Sequence, residues 1–369
     1  MTEPGDGMLD DEECGVRTRP HPFRPNECIN NRFYLKNLIG KGGFSDVYHA
    51  VDSLTMEPVA LKVIHNNLKR IVIRERRVLK ILQRHEHPHI IRLLQDTSTL
   101  DPRGDVVLIL CYPLMKKSLL DEILASKKAR GGIGGLEPDR LEPSLRDIVS
   151  GMAFLEEQHV VHLDLKPENI LRTRGPAGRL VLADFGSASA NIEHEVKFKA
   201  QTPWYRAPEV CLPANYGFEV DLWSLGCIAY EMECGQVLFK GKNSAQLTFL
   251  HYRDVGPPPH SFMNLASTET PPQYLEINPS TQQVNHLVRR WAKIPRPPRP
   301  QINTIRGYRT SHLLQSLLRW MPQDRITARE LMTWTRLCYS DNNNDPQPGP
   351  PQPPPASEAN AVQEGEEGK

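Results

Sequence analysis

Residues 162–169 read HLDLKPEN, placing two acids, an amide and a lysine within one short stretch. Asp164 and Asn169 stand five positions apart, with Pro167 fixing the turn between them. A carboxylate in such a loop can accept or orient a hydroxyl proton, and an amide oxygen five residues on can bind a hard cation. Lys166, between them, can neutralise a phosphate in transit. Asp184 follows at the end of a strand candidate in LVLADFG and supplies a second carboxylate for magnesium. The bland alternative is an ordinary polar loop.

Two upstream stretches bear on the same chemistry. IGKGGFSDV (Ile39, Gly40, Lys41, Gly42, Gly43, Phe44, Ser45, Asp46 and Val47) lies between two strand candidates. Its glycines allow a tight turn and a close approach of backbone N–H groups to phosphate oxygens, although glycine-rich hairpins are common without any ligand. VALK (59–62) then places Lys62 on the next strand. A lysine there is either an exposed edge residue or an ammonium aimed at phosphates, and the second role needs an acidic partner. A helix expected at about 69–84 offers Glu75, on the face of an apolar stripe formed by Ile71, Val78, Leu79 and Leu82. A carboxylate on a buried face is costly unless paired, so an ion pair with Lys62 is the economical reading; the alternative is a solvated Glu75 at the stripe's edge.

These residues need a scaffold to hold them, and the pattern of elements predicts one. FYLKNLIG, SDVYHAVD and PVALKVIH read as strands, followed by the 69–84 helix and two more strands at about 90–95 and 105–112. The second part reads as helical: SLRDIVSGMAFLEEQ carries apolar residues at helical spacing, and 223–233 and 312–321 are further helices. Residues 129–143 read as an exposed loop, as do most of residues 253–310, which are rich in proline. A strand-rich part followed by a helical part, joined near 111–118, suggests a cleft for a small ligand.

Composition bounds the rest. The chain has 369 residues and a net charge of +1, which gives no sign of bulk binding to nucleic acid or to an anionic membrane. Its longest apolar run, VVLILCY at 106–112, is far short of the roughly 20 residues that cross a bilayer. No basic stretch followed by an apolar one opens the sequence, so no secretory signal is expected. The 7 cysteines are scattered with no CxxC pair, which favours a reducing, intracellular setting, cytoplasmic or nuclear, over a zinc site or a disulfide framework. Residues 1–31 and the proline-rich acidic tail, 339–369, lack the apolar content to offset ordering entropy and read as disordered. The tail's prolines could also present an extended ligand to SH3- or WW-like domains.

Taken in order, IGKGGFSDV, VALK, Glu75, HLDLKPEN, DFG and APE (207–209) resemble the protein-kinase signature over about residues 34–338. The resemblance implies an α+β bilobal fold, with an N-lobe at about 32–111 and a C-lobe at about 115–338. It implies phosphoryl transfer from ATP, with Mg2+, to protein substrates. Residues 39–47 would cover ATP's phosphates, and Lys62 would contact them while paired with Glu75. Asp164 would act as catalytic base, Lys166 would lie near the γ-phosphate, and Asn169 and Asp184 would hold magnesium. Glu209 would pair with Arg325, and Asp221 would brace the catalytic-loop backbone. The hinge candidate is CYPL (111–114), with the residue guarding the back pocket left open between Leu110 and Cys111.

LKPEN is typical of serine/threonine kinases. DFGSAS, WYRAPEV and DLWSLGCIAYEM resemble the CMGC group, and Leu163 with DFGSAS its branch of dual-specificity tyrosine-regulated, homeodomain-interacting and pre-mRNA-processing kinases. Arg206 resembles the CMGC residue linked to proline after the phosphosite. The chain departs from the family at several points. Ser45 replaces the third loop glycine, Lys62 and Glu75 are only 13 apart, and Leu163 stands where an arginine usually binds an activation-segment phosphate. No tyrosine lies between Asp184 and Trp204; in the related branch one would fall near Lys199. Thr202 matches a threonine engaged with the catalytic loop. The expected activity is a serine/threonine kinase, proline-directed and independent of activation-segment phosphorylation; the alternatives are a pseudokinase scaffold or a dual-specificity enzyme.

Overall fold

The computed structural model describes residues 23–42, 45–64, 69–102, 104–176, 178–190, 200–211, 216–259, 261–262 and 308–338. Gly43, Phe44, Lys199, the first 22 residues, most of the proline-rich stretch and the tail from 339 lie outside them. The chain divides into two compact units, one of residues up to 76 with 92–114, the other of 77–91 with the residues from 115 on.

The first unit is built on an antiparallel sheet of order β1-β2-β3-β4-β6-β5. Its strands are β1 (Cys28–Ile29), β2 (Phe33–Lys41), β3 (Ser45–Asp52), β4 (Pro58–Ile64), β5 (Gln95–Leu100) and β6 (Val106–Pro113). Burial alternates residue by residue along β3 and β4, as a half-buried pleat requires. One face carries the core of this unit, including Phe33, Leu35, Ala50, Leu61, Ile109 and Cys111. The register places Val47 opposite Lys62 and Lys62 opposite Leu110, so these three share the other face. Helix α1 (Lys69–Leu82) buries Val72, Glu75, Val78, Leu79 and Leu82, a helical stripe with one carboxylate in it.

Three expectations fail here. The lead-in is not unstructured up to residue 31: Ile29, in β1, pairs with Phe33 and is buried, while Phe23 packs edge-on against Tyr48. The strand expected at 90–95 forms instead at Gln95–Leu100, while Ile90 makes only an isolated bridge to Leu182. The apolar run misled because Ile90, Ile91 and Leu93 are buried without a strand ladder, while Leu94 is exposed. The true strand, QDTSTL, is polar because it is a sheet edge. Residues 129–143 are not a free loop either, as the second unit makes plain.

The second unit has a short three-stranded sheet, β7 (Lys117–Ser118), β8 (Ile170–Arg172) and β9 (Leu180–Leu182), and helices around it. Helix α2 (Leu119–Ala129) opens on a capping box in which Ser118 and Asp121 bond each other's backbone N–H. Helix α3 (Pro138–Glu157) starts with proline in its first turn, where the missing N–H leaves no bond unmade. A second proline, Pro143, sits inside it and had argued for a loop. The glycines between α2 and α3 are there for close packing: the N–H groups of Gly135 and Leu136 bond the carbonyls of Glu233 and Met232, at 2.8 and 2.6 Å. A Cβ on Gly135 would sit 2.1 Å from the Met232 oxygen.

Helix α4 (Glu219–Cys234) is buried almost all round and ends at Gly235, whose φ of +66° forms a left-handed cap. Helix α5 (Ser244–Val255) and two later helices, Tyr308–Leu317 and Ala328–Cys338, complete the described part. Among the described residues no helix is long and apolar enough to cross a membrane.

Candidate active site

The loop 162–169 is held from below by one buried acid. Asp221, in the first turn of α4, accepts the N–H groups of His162 at 2.6 Å and Leu163 at 3.1 Å. Burial pushes its carboxyl up to about 6, and the attraction of His162 and those two N–H bonds work against that rise. The His162 ring nitrogen Nε2 lies 2.9 Å from the carbonyl of Ala183, which ties the loop to the residue before Asp184. Leu163 is buried and adopts φ +63°, so its side chain turns into the protein while the chain reverses toward Asp164.

Asp164 is the centre of a small polar network. Its Oδ1 accepts the Thr202 hydroxyl at 2.6 Å and the Thr202 N–H at 3.2 Å. Its Oδ2 accepts Asn169 Nδ2 at 3.1 Å and Lys166 Nζ at 2.9 Å. Lys166 also donates to the Thr202 hydroxyl at 2.9 Å, so lysine, threonine and aspartate hold one another. The Asp164 and Lys166 side chains keep 20% and 21% of their surface exposed, which leaves the carboxylate reachable by a substrate.

Asn169 and Asp184 are brought to the same end of a hairpin. Strands β8 and β9 pair Ile170 with Leu182, and the N–H of Ala183 extends the ladder to the Asn169 carbonyl at 2.9 Å. Asn169 is buried, and its Nδ2 also bonds the Asp164 carbonyl at 2.9 Å, so Oδ1 is the side-chain atom that could serve a cation. Asp184 adopts φ +62° and is exposed between buried Ala183 and Phe185. A left-handed backbone at an aspartate is strained, and such strain concentrates where a side chain must be aimed. Two hard oxygen donors suit magnesium, which keeps most of its shell as water and phosphate oxygens.

In the first unit, Lys62 Nζ lies 2.8 and 3.0 Å from the two oxygens of Glu75. The ion pair forms despite the short spacing, because β4 and α1 place both groups in a largely dehydrated setting. A second donor, missed from sequence, completes it with a third hydrogen bond: the Tyr112 hydroxyl bonds Glu75 Oε1 at 2.8 Å. Period two along β6 could have found it, since Tyr112 and Leu110 share the face of Lys62, whereas Cys111 pairs with Leu61 on the opposite, core face. Of the two back-pocket candidates, Cys111 is therefore turned away from Lys62.

The glycine loop is described in part. Gly40 pairs with Val47, Lys41 with Asp46, and the Gly42 N–H bonds the Ser45 carbonyl at 2.9 Å. Ile39 and Lys41 are exposed, but the Asp46 side chain is buried on the face opposite Val47 and Lys62. What Asp46 presents toward the Val47 and Lys62 face is therefore its backbone, the part of this loop expected to approach phosphate oxygens.

Farther from the loop, Arg325 forms a two-pronged pair with Glu209, at 2.6 and 2.8 Å, with both side chains wholly buried. It also bonds the carbonyls of Glu219 and Arg319 and lies over the Trp223 ring. All of its charge is thus compensated, which is the condition for keeping a buried guanidinium.

The comparisons with known proteins fit this geometry. Residues 33–335 match the protein kinase domain family. Cyclin-dependent kinase 4 of Mus musculus is 31% identical over 301 residues, covering 79% of this chain and 91% of that protein. Cell division control protein 2 homolog 3 of Trypanosoma brucei brucei is 31% identical over 307 residues, covering 81% and 89%. Mitogen-activated protein kinase HOG1 of Torulaspora delbrueckii is 30% identical over 322 residues, covering 86% and 69%. The chain belongs to the protein kinase domain family, as a serine/threonine kinase with distant relatives in the CMGC group.

Proposed function

We propose that the protein is an active kinase that transfers the γ-phosphoryl group of ATP to a serine or threonine hydroxyl, with Asp164 orienting the attacking oxygen. The observation that carries this reading is the network on Asp164, where a partly exposed carboxylate is fixed by Thr202, Asn169 and Lys166. Phosphoryl transfer needs in-line positioning and charge neutralisation more than covalent chemistry, and these residues supply both. Lys166 would sit beside the transferred group, Lys62 with Glu75 would hold the α- and β-phosphates, and residues 39–47 would cover them. Asn169 and Asp184 would hold magnesium, which when bound neutralises phosphate charge. Within the CMGC group, Leu163 and DFGSAS favour the branch of dual-specificity tyrosine-regulated, homeodomain-interacting and pre-mRNA-processing kinases.

The test is phosphate incorporation from Mg-ATP into a generic basic protein, beside Asp164→Ala. Loss of a general base should lower the rate by about 10²–10⁴. Equal incorporation by both proteins would leave only a pseudokinase scaffold, and phosphotyrosine in the product would mark a dual-specificity enzyme.

A proline-directed preference has a geometric rationale. Gln201 adopts φ +65°, and its carbonyl accepts Arg206 Nη2 at 3.0 Å. If the residue after the phosphosite lies against this stretch, that carbonyl is already taken by Arg206. An incoming N–H would lose a partner, and proline, which has none, would lose nothing. A peptide array should show proline favoured after the phosphosite by about tenfold, the worth of one ordinary hydrogen bond; no enrichment there sinks the idea.

A further inference from the structure

Gln201 does more than turn its carbonyl toward Arg206. It is buried, and the structure gives it hydrogen bonds in five directions. Its N–H donates to the Leu163 carbonyl at 3.0 Å, and its carbonyl accepts Arg206 Nη2 at 3.0 Å. Its side-chain Oε1 accepts the Ala207 N–H at 2.9 Å. Its Nε2 donates to the Val220 carbonyl at 2.9 Å and to the Ser224 hydroxyl oxygen at 2.8 Å. One residue thereby ties the loop 162–169, the APE stretch and helix α4 together. The next residue, Thr202, carries both donors to Asp164 Oδ1.

The site demands an amide. The Val220 carbonyl can only accept, and the Ser224 hydroxyl hydrogen is directed at the Tyr205 carbonyl, 2.8 Å away, so both require a donor from Gln201. The Ala207 N–H requires an acceptor on the same side chain. A carboxamide meets all three needs, and a carboxylate of the same shape meets one. Leu163, where an arginine would bind a phosphate, contributes no anion site, but its backbone carbonyl holds Gln201.

We infer that Gln201 is a positioning residue whose carboxamide fixes the substrate-binding end of the activation segment, doing by neutral hydrogen bonds what an arginine–phosphate pair does where Leu163 is arginine. This rests on the reading of the protein as a kinase that needs no activation-segment phosphate.

The test is Gln201→Glu in the full chain, assayed with two peptides that differ only in proline or alanine after the phosphosite. Expected are a peptide KM raised about tenfold, a smaller proline-to-alanine ratio, and an ATP KM within about twofold of wild type. A merely structural role would shrink the active fraction instead, lowering kcat for both peptides alike and leaving KM and the ratio unchanged. Should Gln201→Glu fail to fold, Gln201→Asn keeps an amide that tolerates positive φ but is one methylene short of its partners, and the same shifts are expected. Wild-type KM and ratio in the folded variant overturn the proposal. Phosphatase treatment separates the layers. A wild type that loses most of its rate overturns the replacement of phosphate by Gln201. An Asp164→Ala protein as active as wild type overturns the kinase reading beneath it.

Discussion

Glu75 shows how much one residue's neighbours decide. Its carboxylate is buried, and three hydrogen bonds converge on it, two from Lys62 and one from Tyr112. A buried charge held by one partner can swing; held by a second donor it has one low-energy orientation. The Tyr112 hydroxyl should therefore steady Lys62, the lysine proposed to hold the phosphates. Tyr112→Phe keeps the ring and removes the bond. The expected outcome is an ATP KM raised about three- to tenfold, the worth of one ordinary hydrogen bond because the lost bond acts through Lys62, with the peptide KM unchanged. Steady-state kinetics with each substrate varied in turn checks it, and an unchanged ATP KM would reduce the tyrosine to packing. The residues of this ion pair were legible in the sequence, because lysine on a strand and glutamate on an apolar helical face each demand a partner. The tyrosine was not read: a phenol at the end of an apolar run passes for core, and period two along β6 sets it on the face of Leu110 but needs the β4–β6 pairing to bring Lys62 there.

At the scale of elements, the sequence was most readable where burial is one-sided. Strands β3 and β4 alternate cleanly, and the later two-thirds of α3 carries its apolar stripe in plain view. It was least readable where an element is polar at an edge, as β5 is, or where glycine and proline serve packing rather than turning. The connection from α2 to α3 is the instructive case. GGIGGLEP has the composition of a solvent loop, yet Gly135 lies against the last turn of α4 with no room for a methyl group. Its N–H satisfies the Glu233 carbonyl, and Leu136 is buried beside it. Gly135→Ala should therefore force the backbones apart and destabilise the fold by about 1–3 kcal/mol, in the range of other overpacking changes. Gly132→Ala is the comparison, since a Cβ there meets nothing within 4 Å, although its φ of +88° adds backbone strain. Denaturant unfolding of the two variants separates steric overlap from strain, and equal losses would show that the close approach is unimportant.

For the molecule as a whole, the buried titratable groups set an acid limit. His251 is fully buried among Trp223, Phe239 and Trp320, and neither of its ring nitrogens has a hydrogen-bond partner. Burial, with a smaller push from Arg325, lowers its pKa to about 3. The folded state thus keeps it neutral while the unfolded chain protonates near 6.5, so stability is full above 6.5 and declines as pH falls toward 3. Asp221 works in the opposite sense. Its carboxyl, raised to about 6, binds a proton earlier in the folded state, so stability is gained as pH falls from about 6 toward 3.8. The two nearly cancel below pH 6, which leaves the histidine's effect clearest just under neutrality. His87, stacked on Phe154 and lowered to about 4 mainly by burial, adds to the loss, but it is only half-buried and contributes less. Replacing His251 with leucine, a side chain of similar volume, removes one arm of this balance. Between pH 7.5 and 5.5, the loss of unfolding free energy should shrink by about 1.4 kcal/mol, the value of one proton over one pH unit. Chemical denaturation of wild type and His251→Leu at both pH values measures it. An identical pH dependence in the two proteins would mean that the histidine is hydrated in solution. A larger dependence in the variant would mean that His251 is protonated in the fold and paired, reversing the sign of its contribution.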